Sequence, residues 1–209
     1  MRTIVVALSC LILIATLQGC AARQATEPTR ATPSGTVEMF KMHARYGDRS
    51  GEWDILSPGF KRRLSAQAGR TVDVADYVHA RDAYRGDPRV RAAEQLLQTA
   101  IVVNTEQLSP DRVRASIRTS GGPLAQSGQI GMVRLQVWKL FVSGEPQPYS
   151  GYVGDPTFGA TRGADGSFVI TVDGQAVQTI PAAQVTDYKV EALWYVDDLG
   201  GLEQQFMQS

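Results

Sequence analysis

The chain has 209 residues, and its 21 lysines and arginines are balanced by 21 aspartates and glutamates, so the formal charge is zero. That balance, without a long run of one sign, excludes the electrostatic footprint of a nucleic-acid-binding protein. A hydrophobic content of 43% is that of a globular chain, and two cysteines are too few for a disulfide framework.

At the N-terminus Arg2 supplies a positive charge, and residues 4–16 are almost wholly apolar or small. This layout is that of a secretory signal, and the apolar run is shorter than the roughly 20 residues a membrane-spanning helix needs. No later stretch approaches that length, so no transmembrane helix is expected in the mature chain. Leu17-Gln18-Gly19-Cys20 follows: a branched aliphatic, a variable position, a small residue, then cysteine. The tetrapeptide resembles the lipobox of bacterial lipoproteins. The resemblance implies that residues 1–19 are removed and that Cys20 carries acyl chains that anchor the protein in a membrane. Two or more chains anchor stably where one does not. Ala21 at the next position implies, in a Gram-negative cell, sorting to the periplasmic face of the outer membrane. Cys10 leaves with the signal and Cys20 is acylated, so the mature domain holds no thiol for a disulfide, a thiolate metal site or cysteine catalysis.

Residues 20–35 are expected to form the lipidated cysteine and a flexible tether. The stretch lacks apolar periodicity, carries Pro28 and Pro33, and spans about 20 Å root-mean-square. Residues 36–209 are expected to form a single globular α+β domain. Its first helix runs from Thr36 to Tyr46, with Val37, Phe40 and Ala44 at helical spacing and Gly47 as its stop. A second begins at Ser57-Pro58, with serine as cap and proline in the first turn, and ends near Ala68. A third starts at Asp73, and a fourth at Asp87-Pro88 presents Val90, Ala93, Leu96 and Leu97.

After about Gln98 the period changes to two. Strands are expected over residues 100–107, 112–119, 132–142, 168–172, 175–180 and 188–197. Val113, Ala115 and Ile117 are expected to be buried, with Arg112, Arg114 and Arg118 facing solvent; Val133, Leu135 and Val137 are expected to be buried as a matching set. Asp173-Gly174 is the strongest hairpin signal. Between strands lies residues 143–165, expected as a long insertion without secondary structure of its own. Its Tyr149, Tyr152 and Phe158 suit a lid or a partner contact.

Helices first and antiparallel strands after predict an α+β fold, with N-terminal helices packed on a curved, mainly antiparallel sheet. The first helix, the Trp53-Asp54-Ile55-Leu56-Ser57-Pro58 lead-in to the second and the closing Leu193-Trp194-Tyr195-Val196 resemble the nuclear transport factor 2-like superfamily over about residues 34–199. That resemblance implies a pocket between helices and sheet, with Asp, His or Tyr as acid–base groups in its enzymes. Asp76, Tyr77 and His79 are the local candidates, and Trp138 and Trp194 could line such a pocket. The superfamily's catalytic Asp–His pair has no matching position here, so no catalytic residue is assigned. Standard nucleophile, phosphate-loop and zinc spacings do not occur. His43 and His79 lack a third ligand, so neither metal nor cofactor is expected. The sequence thus favours a non-catalytic envelope lipoprotein that binds an envelope protein or small ligand. The alternative is a pocket enzyme of the polyketide-cyclase or isomerase type.

Overall fold

Most of the helices open on a side-chain oxygen that satisfies an otherwise unpaired backbone N–H. The computed structural model describes residues 28–83, 85–120 and 125–201; the expected leader, Cys20 and most of the expected tether lie outside the described residues. In α1 (Pro33–Tyr46), Thr32 accepts from the Gly35 N–H, and Gly47, at φ 70°, closes the helix. Asp48 caps α2 (Arg49–Ile55) by accepting from the Gly51 N–H. Ser57 caps α3 (Pro58–Ala68), Asp73 accepts from the Asp76 N–H at the start of α4 (Val74–Ala83), and Asp87 caps α5 (Pro88–Thr99).

Two boundaries differ from the sequence reading. The helix expected at Thr36 begins at Pro33, because Thr32-Pro33 is itself a cap followed by a first-turn proline; residues 33–35, expected as tether, are therefore helical. Helix α2 carries no apolar periodicity to announce it, because two of its three buried residues are Arg49 and Glu52.

Eight strands follow among the described residues. Strands β1 (Ile101–Ser109), β2 (Arg112–Arg118) and β3 (Ser127–Val142) form an antiparallel meander. At 16 residues, β3 is the spine of the sheet. One edge pairs with β2 as far as Val133 and then with β4 (Tyr149–Tyr152) over Val137–Leu140. The other edge pairs with β8 (Val185–Asp198) along nearly the whole length. Strands β5 (Phe158–Arg162), β6 (Phe168–Val172) and β7 (Gln175–Ile180) form a second antiparallel sheet. Its β6–β7 hairpin turns at Asp173-Gly174, both at positive φ, as that dipeptide predicts. The chain is an α+β protein. The insertion over residues 143–165 is not a structureless loop, because it supplies β4 and β5. Both are short and glycine-containing, so partner strands rather than their own alternation define them.

Ile130, Met132, Trp138 and Leu140 share one side of the β3 pleat, and all four are buried. The first two face the helices, in a core with Phe40, Leu56, Leu64, Leu97, Ile117 and Val196. The last two face the small sheet, in a second core with Phe168, Ile170 and Ile180. Val113, Ala115 and Ile117 are buried and the β2 arginines are exposed, as the alternation predicts. Of the matching set, Val137 is buried but Val133 and Leu135 are only half-buried. They lie on the outer side of β3, where neither the helices nor the small sheet covers them. Among the described residues, no helix is long and apolar enough to cross a membrane.

The second core makes a testable demand. Trp138 sits opposite Gly151, where any Cβ would meet the indole at 2.8 Å, and its ring stacks on Phe158 at 5.4 Å. Trp138→Ala should cost about 3–5 kcal/mol in urea denaturation. A loss below about 1 kcal/mol would mean that this core does not share in the cooperative transition.

Candidate functional site

Two constellations of polar groups stand out, one inside the helical layer and one on the outer face of the sheet. The first centres on Glu52, which has no solvent exposure. Its Oε1 accepts from Arg49 at 2.5 Å and from Arg81 at 3.2 Å, and its Oε2 accepts from Arg81 at 3.0 Å and from the Tyr77 hydroxyl at 2.9 Å. Glu94 completes the network, 2.5 Å from Arg49 and 3.3 Å from Arg81. Two buried guanidinium groups thus meet two carboxylates, and α2, α4 and α5 each contribute. A buried charge is tolerated when its partners and hydrogen bonds are supplied in this way. Arg49 Nε, also buried, lies 3.9 Å from Asp82 Oδ1. Each side chain of the set is paired with at least one other, although Arg49 Nε has no hydrogen-bond partner among the described residues, and the geometry is that of a helix clamp.

The second constellation surrounds Asp197. Strand β8 carries an extra residue between its pairings to Gly131 and Met132, and Asp197 occupies that bulge. Its carboxylate accepts from the Ser57 hydroxyl and from Arg112, at 3.3 Å for the latter, and Arg63 donates to its carbonyl. On one side of this group is a depression of about 270 Å³ bounded by Arg62, Arg112, Val133, Leu135, Tyr152 and the 153–156 turn. On the other is one of about 340 Å³ bounded by Arg63, Leu108, Arg112, Arg114 and Asp198. Both include Arg112 and Asp197, so they form one groove across the outer face of the sheet. At its edge Tyr152 meets Tyr195 edge-on at 5.4 Å, and Arg30 lies 4.8 Å from the Tyr195 ring. Burial pushes the hydroxyl pKa of both tyrosines above its ordinary value, with Tyr195 adding to the effect on Tyr152 and Arg30 opposing it on Tyr195. Next to them Lys61 stands over Trp53 at 4.7 Å, and burial lowers its ammonium pKa while Asp54 opposes this.

The residues nominated from sequence are dispersed. Tyr77 is buried and bonded to Glu52, whereas Asp76 is paired at the surface with Arg70 at 2.5 Å, whose hydrogen bond holds the Asp76 carboxyl below its ordinary range. His79 is exposed. Trp138 lies in the second core and Trp194 in the first, so the five do not line one pocket. The three insertion aromatics are also divided. Tyr149 and Phe158 pack on the second core, while Tyr152 lies on the outer face. They are divided because Tyr149 and Tyr152 stand three positions apart on one strand and point to opposite sides. His43 is 2.8 Å from Asp48 at the surface. Among the described residues, no group of three or more His, Cys, Asp or Glu side chains could hold a metal ion. Cys20 lies outside the described residues.

Sequence reasoning missed both constellations. The arginine row on β2 was visible as a solvated strand face. Its neighbours Arg62, Tyr152 and Asp197 come from elements far apart in sequence. The Arg49, Glu52, Arg81 and Glu94 set carries no local signal, because a charged residue reads as surface until its partners are known. Comparison with family models, curated proteins and solved structures finds no match to this chain.

The clamp predicts two outcomes. Glu52→Gln leaves two buried guanidinium groups under-neutralised and should cost about 3–5 kcal/mol in chemical denaturation, whereas Asp76→Asn at the exposed pair should cost less than about 1 kcal/mol. Equal losses would remove Glu52 from its central place. Tyr77 supplies a pH dependence. Burial, reinforced by the Glu52 carboxylate, raises its hydroxyl pKa above the ordinary value. The stability it contributes is therefore fully present below about pH 10, the unfolded-state value, and is lost as pH rises past it. Tyr77→Phe should flatten the fall in stability above about pH 10, read as urea midpoint against pH; an unchanged slope would contradict this origin.

Proposed function

We propose that this chain is a lipid-anchored module of a bacterial envelope that holds an envelope protein or small ligand in the outer-face groove. The observation that carries the anchoring is Leu17-Gln18-Gly19-Cys20 behind a charged-then-apolar leader. The described fold begins at Pro28, eight positions beyond Cys20, a reach of at most about 30 Å when extended. Its first residues are already fixed to the sheet. The Arg30 carbonyl accepts from the Trp194 N–H at 2.8 Å, and the Arg30 guanidinium donates to the Asp54 carbonyl at 3.2 Å. Arg30 stands over Tyr195, which packs on the groove residue Tyr152, so the tether exit and the groove are neighbours.

The helix–sheet interface, where an isomerase-type pocket would sit, is packed with Phe40, Leu64, Leu97, Ile130 and Met132. That packing supports placing the ligand on the outer face instead. The order of helices followed by antiparallel strands supports the resemblance to the nuclear transport factor 2-like superfamily. Anchoring has a direct test. Cys20→Ser should move the protein from washed membranes to the soluble fraction and abolish metabolic labelling by palmitate. Full retention of the variant in the membrane pellet would refute a lipid anchor at Cys20.

A further inference from the structure

We propose that Lys61 is the reactive amine of this chain, a modification site that condenses with small aliphatic aldehydes to form an imine. The first argument is a comparison within the molecule. The chain has four lysines. Lys41 is 2.8 Å from Glu38, Lys139 is 2.8 Å from Glu191 and Lys189 is 3.1 Å from Asp187. A carboxylate at such a distance stabilises the ammonium form. The Lys61 ammonium makes neither an ion pair nor a hydrogen bond with any described residue. It stands instead over the Trp53 ring at 4.7 Å, on a half-buried side chain.

The second argument is position. Lys61 lies in the first turn of α3, where its N–H donates to the Ser57 carbonyl at 3.0 Å. That end of a helix is the positive end of its dipole, and helical side chains lean towards it, so a cation there is disfavoured. Burial lowers the Lys61 pKa, the Asp54 carboxylate on α2 opposes this, and the like charge of Arg30 reinforces it. The indole face attracts an ammonium, but it offers no acceptor and displaces water that would hydrate the charge; the displacement is the larger effect. The third argument is the chemistry. The unprotonated amine is the nucleophile. Its lone pair adds to the aldehyde carbon, its two protons leave with the carbonyl oxygen as water, and a C=N bond replaces the C=O bond. The step needs no oxidant or reductant. It also needs no positioned acid to expel a leaving group, which suits an amine without a hydrogen-bonded neighbour and favours an aldehyde over an acyl donor. The Trp53 ring beside Nζ is an apolar surface for the aldehyde's alkyl group.

The test is alkylation of the full chain in detergent by propionaldehyde, with cyanoborohydride to trap the imine and peptide mass spectrometry to read each lysine. Near neutral pH Lys61 should be alkylated about fivefold or more faster than Lys189, although the Lys189 side chain is 54% exposed. The ratio should fall as pH rises past about 10, where every lysine is a free amine, and should approach one in urea. Two variants carry opposite expectations. Asp54→Asn removes the charge that favours the ammonium and should raise the ratio about twofold. Arg30→Gln removes the charge that opposes it and should lower the ratio about twofold. Loss of the fold would move both variants in the same direction, so it cannot imitate this result. Alkylation of Lys61 no faster than that of Lys189 near neutral pH would overturn the proposal. So would a preference that persists in urea, or a shift of both variants the same way. Cys20→Ser should leave the ratio unchanged, so the amine and the anchor succeed or fail in separate measurements.

Discussion

The helical layer depends on Glu52. Helices α2 and α4 are short, seven and ten residues, and neither presents a broad apolar stripe. Isolated helices of that length are marginal in water, so their stability must come from packing. What ties them together is one carboxylate receiving Arg49, Arg81 and Tyr77, with Glu94 from α5 balancing the second positive charge. A like-sized apolar cluster could hold the same helices as firmly. An ionic clamp differs in its directionality, because each guanidinium meets its carboxylate at a defined angle. It therefore specifies which faces meet as well as that they meet.

That layer in turn decides what the sheet can do. The helices cover one side of β2 and the first half of β3, and the small sheet covers the same side of the second half of β3. Both cores fall on one side of a single pleat, so the other side is left to Arg30 and the groove. Strand β3 can serve both because it is long enough to pair with β2 and β4 in succession along one edge while β8 runs along the other. The outer edge of β8 is occupied near its end by Arg30 and Ser57, which accept from or donate to Trp194 and Val196. A bare strand edge invites pairing with another chain, and these contacts cover it.

The groove follows from an irregularity in that same strand. Without the bulge that places Asp197 outside the regular ladder, Ser57, Arg63 and Arg112 would have no common acceptor. The same carboxylate, on β8, therefore joins the start of α3 to β2 across β3. Arg30 joins the first described residues to this region through Tyr195 and the Trp194 N–H, so the N-terminal end of the described chain and the groove meet at one corner of the domain.

Much of this was legible from local chemistry. Thr32-Pro33, Ser57-Pro58 and Asp87-Pro88 each combine a cap with a first-turn proline, and each opens a helix; apolar spacing alone places the first of these helices at Thr36. Alternation in Arg112–Arg118 sets the faces of β2, and Asp173-Gly174 sets the β6–β7 hairpin. These signals are legible because cap, alternation and turn are each decided within a few residues. The remaining features needed the tertiary structure. Helix α2 is invisible to hydrophobic periodicity because its buried face is charged, and a charge reads as surface until its partners are known. Strands β4 and β5 exist because β3 and β6 pair with them, and that pairing divides Tyr149 and Phe158 from Tyr152. The groove draws on α3, β2, β3, the 153–156 turn and the β8 bulge. Its charge and shape arise only when segments more than a hundred residues apart are brought into contact, which no local pattern encodes.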